Sequence, residues 1–537
     1  MLVENLAKLS MEEAVHFAAT WLARLEHPSA SHLDVDISFI TSHLAGSART
    51  AALHHVQHPR QPGLRPERTL IVPQALTLLM VLALRHNVPA GPITGPFDEK
   101  PAVIVTLGIP GHLGNRVTPP PNDIITIDEP SELVGELVAN QAYNSHQDLR
   151  GALATFQRCW RELPIELAQH PQMVDLPAEY ADATGLPLDD MVTVCSALWA
   201  SAANGTCTVE LSYFDNLGWD RERIDAVLGL VAATPEQMRQ MLDDEARDYG
   251  DTWSRRTFRE YPVVRWPNHL TVLSPHWLVE RCTGLWPLFE IRRYFTDRGE
   301  NARAGRATNA FTLAMETWVL EAFSNIVGDT SRYYSEDDLR AAYGKKSKVC
   351  DAALEYPGAW VVVEVTITGL NAHSAAGVDQ TAIVKDIEGA VKKVRQLDAA
   401  IVNIRADETK VTGRPAVVGR KFHPVLVVAS SFPVNPATMV MLRQRFESEN
   451  LLQGADVAPL EIMEADDVDI AEGAIEAGGP DLAQLLQGKA SSALANMSMQ
   501  HYVVSNLPHL NRLPRRVTGR WDAWFSSALD ALRSNAA

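Results

Sequence analysis

Over most of the first 260 residues, apolar positions recur at helical spacing. Val15, Ala18, Trp21, Leu22 and Leu25 follow a Ser10/Glu13 capping-box pair and run up to His27-Pro28, which stops the helix. Residues 69–86 are strongly apolar and predict a second helix. Val103 to Leu107 reads as a short strand, followed by a Gly/Pro-rich loop to Asn122. Ser131 to Pro164, Leu188 to Ala203, and Arg221 to Glu245 with a break near Thr234-Pro235 predict further helices. Val263-Val264 and Val272-Leu273 predict a small β element, and His276 to Phe295 a helix. A polar stretch containing Gly299 and Gly305 then leads into a region of different character.

From Ala307 the pattern reads helix, strand, strand, strand, helix, strand. The helix spans Ala307 to Val327, and a strand lies near Tyr333. A second strand runs from Lys348 to Glu355, Pro357-Gly358 turns the chain, and Ala359 to Thr368 forms a third, rich in β-prone residues. Gln380 to Ala400 predicts a helix, Pro424 to Ala429 a strand, and Leu460 to Met463 one more. Such alternation argues for a sheet covered by helices. The fold class expected is α+β and multidomain. It comprises a helical region at 1–150, a helical accessory region with a short β element at 151–295, and an αβββαβ domain at 296–537.

The length of 537 residues agrees with about three domains. The net charge of −18 excludes a general nucleic-acid coat, although local basic residues can still serve a nucleic-acid enzyme. The five cysteines, Cys159, Cys195, Cys207, Cys282 and Cys350, form no CxxC motif and read as free thiols. No signal peptide is visible. The longest apolar run, Leu70 to Leu84, falls short of the about 20 residues of a membrane span. A cytoplasmic protein without a membrane association is expected. Of His54, His55 and His58, the first and last lie one helical turn apart but lack a third ligand at zinc spacing, and Gly108, Gly111 and Gly114 match no phosphate-binding fingerprint. Asp466, Asp467 and Asp469 read as a helix start.

Three carboxylates carry the chemistry. Asp351 opens the second strand. Glu364 lies within Val361, Val362, Val363 and Val365, where an unpaired carboxylate is costly to bury. Pairing of the strands around Pro357-Gly358 brings these two side by side, and a divalent cation resolves their repulsion. Glu316 is the single charge in the row Leu313, Glu316, Leu320, Phe323 and Val327, so it should point toward the sheet.

Asp351, a turn, then Glu364-Val365-Thr366 resembles the D…ExK signature of the PD-(D/E)xK, or restriction-endonuclease-like, nuclease superfamily. The order of elements resembles its αβββαβ core. The likeness covers about residues 300–430. It implies that Asp351 and Glu364 hold Mg2+ or Mn2+, that the Val365 carbonyl completes the set, and that Glu316 supports the metal. It further implies metal-dependent hydrolysis of phosphodiester bonds in nucleic acid, DNA first. The layout is also similar to bacterial proteins with a nuclease-like domain behind a helical region, some of which act in defence against foreign DNA.

The motif lysine is replaced by Thr366, which period-two alternation puts on the same sheet face as Glu364. A hydroxyl supplies no cation. Lys385 is the first stand-in expected from the following helix, with Lys392 next and Lys348 as a second source. Basic residues gather nearby at Lys345, Lys346, Lys393, Arg395, Arg405, Lys410, Arg414, Arg420 and Lys421, and again at Arg512, Arg515, Arg516 and Arg520. The alternative expectation is a nuclease-like domain without chemistry that serves as a nucleic-acid or protein interaction scaffold. The helical N-terminal half is expected to bind a partner or to self-associate.

Overall fold

The computed structural model describes residues 2–27, 31–58, 69–87, 98–117, 149–215, 220–249, 255–367, 380–428, 432 and 434–535. Within these, helices dominate and enclose two small mixed sheets. The Met11–Leu25 helix starts as its sequence dictates. Ser10 Oγ accepts from Glu13 N at 3.1 Å, and Glu13 returns a carboxylate to Ser10 N at 3.1 Å. The Pro73–His86 and Leu188–Ala203 helices also form where periodicity puts them.

Two readings need correction. Val103 to Leu107 is no strand, because it lies inside the Lys100–Val117 helix, which also absorbs Gly108 and Pro110. Burial of Ala102, Val103, Val105 and Ile109 on neighbouring helices overrides the β preference of the valines. The helix expected from His276 to Phe295 is two helices, Pro275–Thr283 and Trp286–Asp297, interrupted at Gly284. The loop expected beyond residue 117 and the helix expected to begin at Ser131 lie, up to residue 148, outside the described residues.

The first sheet has order β1-β4-β3-β2, with β1 Thr208–Glu210, β2 Ala232–Ala233, β3 Val263–Arg265 and β4 His269–Val272. The second has order β5-β6-β7-β8-β9, with β5 Arg332–Ser335, β6 Ala352–Tyr356, β7 Ala359–Thr366, β8 Lys421–Val428 and β9 Glu461–Glu464. β5, β6 and β7 run antiparallel, and β7, β8 and β9 run parallel. The Asn301–Asn325 helix precedes β5, and the Gln380–Ala406 helix makes the crossover from β7 to β8.

All eight residues of β7 are buried, which explains its unbroken apolar run. Val361, Val363 and Val365 face a core shared with the Asn301–Asn325 helix and the helical half of the chain. Trp360 and Val362 face the other way, against Val391, Val394 and Leu397 of the Gln380–Ala406 helix. Burial of each large apolar side chain contributes about 1.5–3 kcal/mol. Glu364 and Thr366 therefore fall on the face covered by that helix.

Candidate active site

The β6–β7 hairpin turns through Pro357-Gly358, with Tyr356 opposite Ala359 and Ala352 opposite Val363. This register sets Asp351 against Glu364 at the open end of the hairpin. Asp351 N donates to Val363 O at 3.1 Å, and Val365 N donates to Asp351 Oδ2 at 2.7 Å. The Asp351 carboxylate is thus fixed by the backbone of the strand that carries Glu364.

Glu364 is fully buried. Its Oε1 accepts from Lys393 Nζ at 2.8 Å, and its Oε2 has no hydrogen-bond partner among the described residues. Burial, then the Asp351 charge, pushes its carboxyl up to about 8, against the pull of Lys393. Burial also raises Asp351, while the Val365 amide, Lys393 and Arg340 act in the opposite sense. Glu316 is half-buried on the Asn301–Asn325 helix. Burial, Asp351 and Glu336 push it up to about 7. Three predicted carboxylates therefore share one electrostatic neighbourhood.

The lysine is where the expectation fails. Lys393, rather than Lys385, Lys392 or Lys348, reaches Glu364. Ile387, Val391, Val394, Leu397 and Ile401 define the buried face of the Gln380–Ala406 helix. Lys393 borders that face, whereas Lys392 lies about 100° away and is exposed. Lys385 is exposed and about 12 Å further up the helix. Lys348 is exposed, and its backbone carbonyl accepts from Asn403 at 3.0 Å. Thr366 is buried and lines a small cavity with Asp386, Gly389, Ala390, Leu426, Val428 and Phe432.

Two groups at the site were not anticipated. Glu336 opens the Glu336–Tyr343 helix, is raised by burial, and pairs with Arg340 at 2.5 Å. Arg340 is in turn a cation acting on Asp351. The sequence signal for Lys393 was its place beside the apolar stripe of its helix. None marked Arg340, whose approach depends on how β5 and the short helix after it fold back.

Much of the expected basic stripe is internally neutralised. Arg395 pairs with Glu449 at 2.7 Å, Arg405 with Asp456 at 2.9 Å, and Arg420 with Glu355 at 2.8 Å and Glu408 at 3.0 Å. Arg414 also holds Glu355, and Lys410 stands 3.9 Å from Asp407. Near the C-terminus Arg516 pairs with Asp469 and Glu472, and Arg520 with Glu162. His54 and His58 stack on each other with centroids 4.1 Å apart.

Among the described residues, no group of three His, Cys, Asp or Glu side chains is arranged to hold a metal ion. No helix among them is long and apolar enough to cross a membrane. No protein-family model matches the chain, and no curated protein matches it either.

Proposed function

We propose that the chain is a metal-dependent nuclease of the PD-(D/E)xK type, hydrolysing phosphodiester bonds of nucleic acid, with DNA the first substrate to test. The observation that carries this reading is one cluster. A fully buried Glu364, whose Oε2 has no partner among the described residues, stands beside Asp351, with Lys393 at 2.8 Å from its other oxygen. The order of elements in the second sheet and its flanking helices supports the same reading.

The donor set fits Mg2+ or Mn2+. Both prefer oxygen ligands, and Mg2+ is commonly held by one or two carboxylates plus waters and substrate phosphate, so three protein carboxylates are not required. Asp351 and Glu364 would hold the ion, with the Val365 carbonyl as a third oxygen and Glu316 in support. When bound, the metal supplies Lewis-acid neutralisation of phosphate charge and acidifies water. The Val365 amide orients Asp351. Lys393 replaces the motif lysine and holds a positive charge where the reacting phosphate approaches. Arg340 offers a second cation on the Asp351 side.

The test is cleavage of supercoiled plasmid with Mg2+, Mn2+ or EDTA, beside Glu364→Ala and Asp351→Ala. Metal-dependent cutting lost in both variants supports the proposal. No cutting by the parent chain with either metal sinks it. The scaffold alternative is favoured by one observation, the Lys393 ion pair, which already occupies one oxygen of the carboxylate that a metal needs.

A further inference from the structure

Lysine is scarce in this chain and unevenly placed. There are 11 in all, none between residues 101 and 344, and six between 345 and 393. One of the six, Lys393, is committed to Glu364. The other five, Lys345, Lys346, Lys348, Lys385 and Lys392, are exposed, and none forms an ion pair among the described residues. This contrasts with the arginines around them, most of which are paired.

Two of the five share one line of a helix, and the other three are tied to its end. At 100° per residue, positions 385, 392, 396, 399 and 403 of the Gln380–Ala406 helix fall within about 40° of one line. That line carries Lys385, Lys392, Gln396 and Asn403, and it lies opposite the buried face. Asn403 Nδ2 donates to Lys348 O at 3.0 Å, and Tyr343 Oη donates to Asp407 O at 3.1 Å. These two bonds tie the 343–348 segment, with its three lysines, to the last turns of the same helix. The acidic residues alongside are engaged. Glu388 pairs with Arg445, and Asp398 accepts from Leu452 N at 2.8 Å.

We propose that these lysines are a docking surface for a phosphodiester backbone, laid along the outer face of the Gln380–Ala406 helix and the 343–348 segment tied to its last turns. Eighteen residues at 1.5 Å rise make the track about 27 Å long, equal to about 8 base pairs of duplex. A polyanion fits it because five exposed ammonium groups make a local positive patch on a chain of charge −18. The proposal goes beyond the nuclease reading, because this face is turned away from the buried Glu364 and binding here needs no chemistry.

The experiment is fluorescence anisotropy in EDTA, with a labelled 20-base-pair DNA duplex and a 20-nucleotide single strand. It compares the parent chain, Lys385→Glu/Lys392→Glu, Lys345→Glu/Lys346→Glu, and the control Lys8→Glu/Lys100→Glu, whose exposed lysines lie far along the sequence. Each track variant should weaken binding about tenfold or more and lower the salt slope by about 2. The control should change neither, and the preferred probe tells duplex from single strand. Parent-like affinity and slope in both track variants, equal loss in the control, or no binding of either probe by the parent would overturn the proposal. Plasmid cleavage by the parent chain with Mg2+ or Mn2+ serves as the separator. Intact track-dependent binding without metal-dependent cleavage by the parent chain would retain the surface and reject the chemistry.

Discussion

At the scale of residues, the site is a contest between burial and charge. Glu364 has an ordinary value of 4.5 and is pushed up to about 8. A carboxyl raised in the folded state binds more protons there than in the unfolded chain. Its destabilising effect is therefore absent below about pH 4.5, grows as pH rises, and is complete above about 8. Glu364→Gln, neutral at every pH, should raise the apparent Tm over the parent by about 2 °C or more at pH 8.5 in EDTA, with the gap closing toward pH 5. Thermal melts across that range check it. A second expectation separates the lysines. Lys393→Ala should lower metal-dependent plasmid cleavage about a hundredfold or more, while Lys385→Ala and Lys348→Ala stay within about twofold. Asp351, Glu364 and Glu316 were legible because a charge inside an apolar strand or helix row has few physical excuses. Lys393 was legible only in part. Choosing it over Lys385 and Lys392 required knowing which edge of the helix overhangs β7.

At the scale of elements, close approach decides which substitutions are tolerated. Gly473 sits within the Ala465–Glu476 helix, where an added methyl would run into the carbonyl of Arg512. Gly473→Ala should destabilise by about 1–3 kcal/mol through overpacking. Gly305, in the exposed first turns of the Asn301–Asn325 helix, has nothing within 4 Å of an added methyl. Gly305→Ala should stabilise by about 0.5–1 kcal/mol by reducing the freedom of the unfolded chain. Urea denaturation of both variants checks the opposite signs. The same contrast explains which elements sequence reveals. The Leu188–Ala203 helix and β7 are specified by their own residues, the first by apolar spacing and the second by a β-branched run. The Lys100–Val117 helix carries a β-branched run too, and only its packing makes it helical.

At the scale of the whole molecule, one hydrophobic core continues from the N-terminal helices to one face of the second sheet. The Asn301–Asn325 helix is the link. On one side it carries Glu316 toward Asp351. On the other, Phe311 packs on Trp160 with ring centroids 5.1 Å apart, and Cys159 Sγ donates to Ala314 O at 3.7 Å. Ion pairs reinforce that side, with Glu321 holding Arg158 at 2.5 Å and Arg303 holding Glu179 at 2.6 Å. The C-terminal Arg515–Asn535 helix returns to the same region, where Arg520 meets Glu162 at 3.1 Å. Cutting the chain before residue 296 would remove Trp160 from Phe311, Cys159 from Ala314, Arg158 from Glu321, and Glu179 and Asp182 from Arg303. Such a loss is worth more than the few kcal/mol by which a domain is stable. A fragment of residues 296–537 should therefore aggregate or melt without a cooperative transition, whereas the full chain melts cooperatively. Circular dichroism melts of the two check this. A fragment that melts like the full chain would mean that the N-terminal contacts of the linking helix contribute little. With those contacts in place, the helical half holds the scaffold that keeps Glu316 within the electrostatic reach of Asp351. Substitutions at Trp160 should then disturb the carboxylate cluster without touching it.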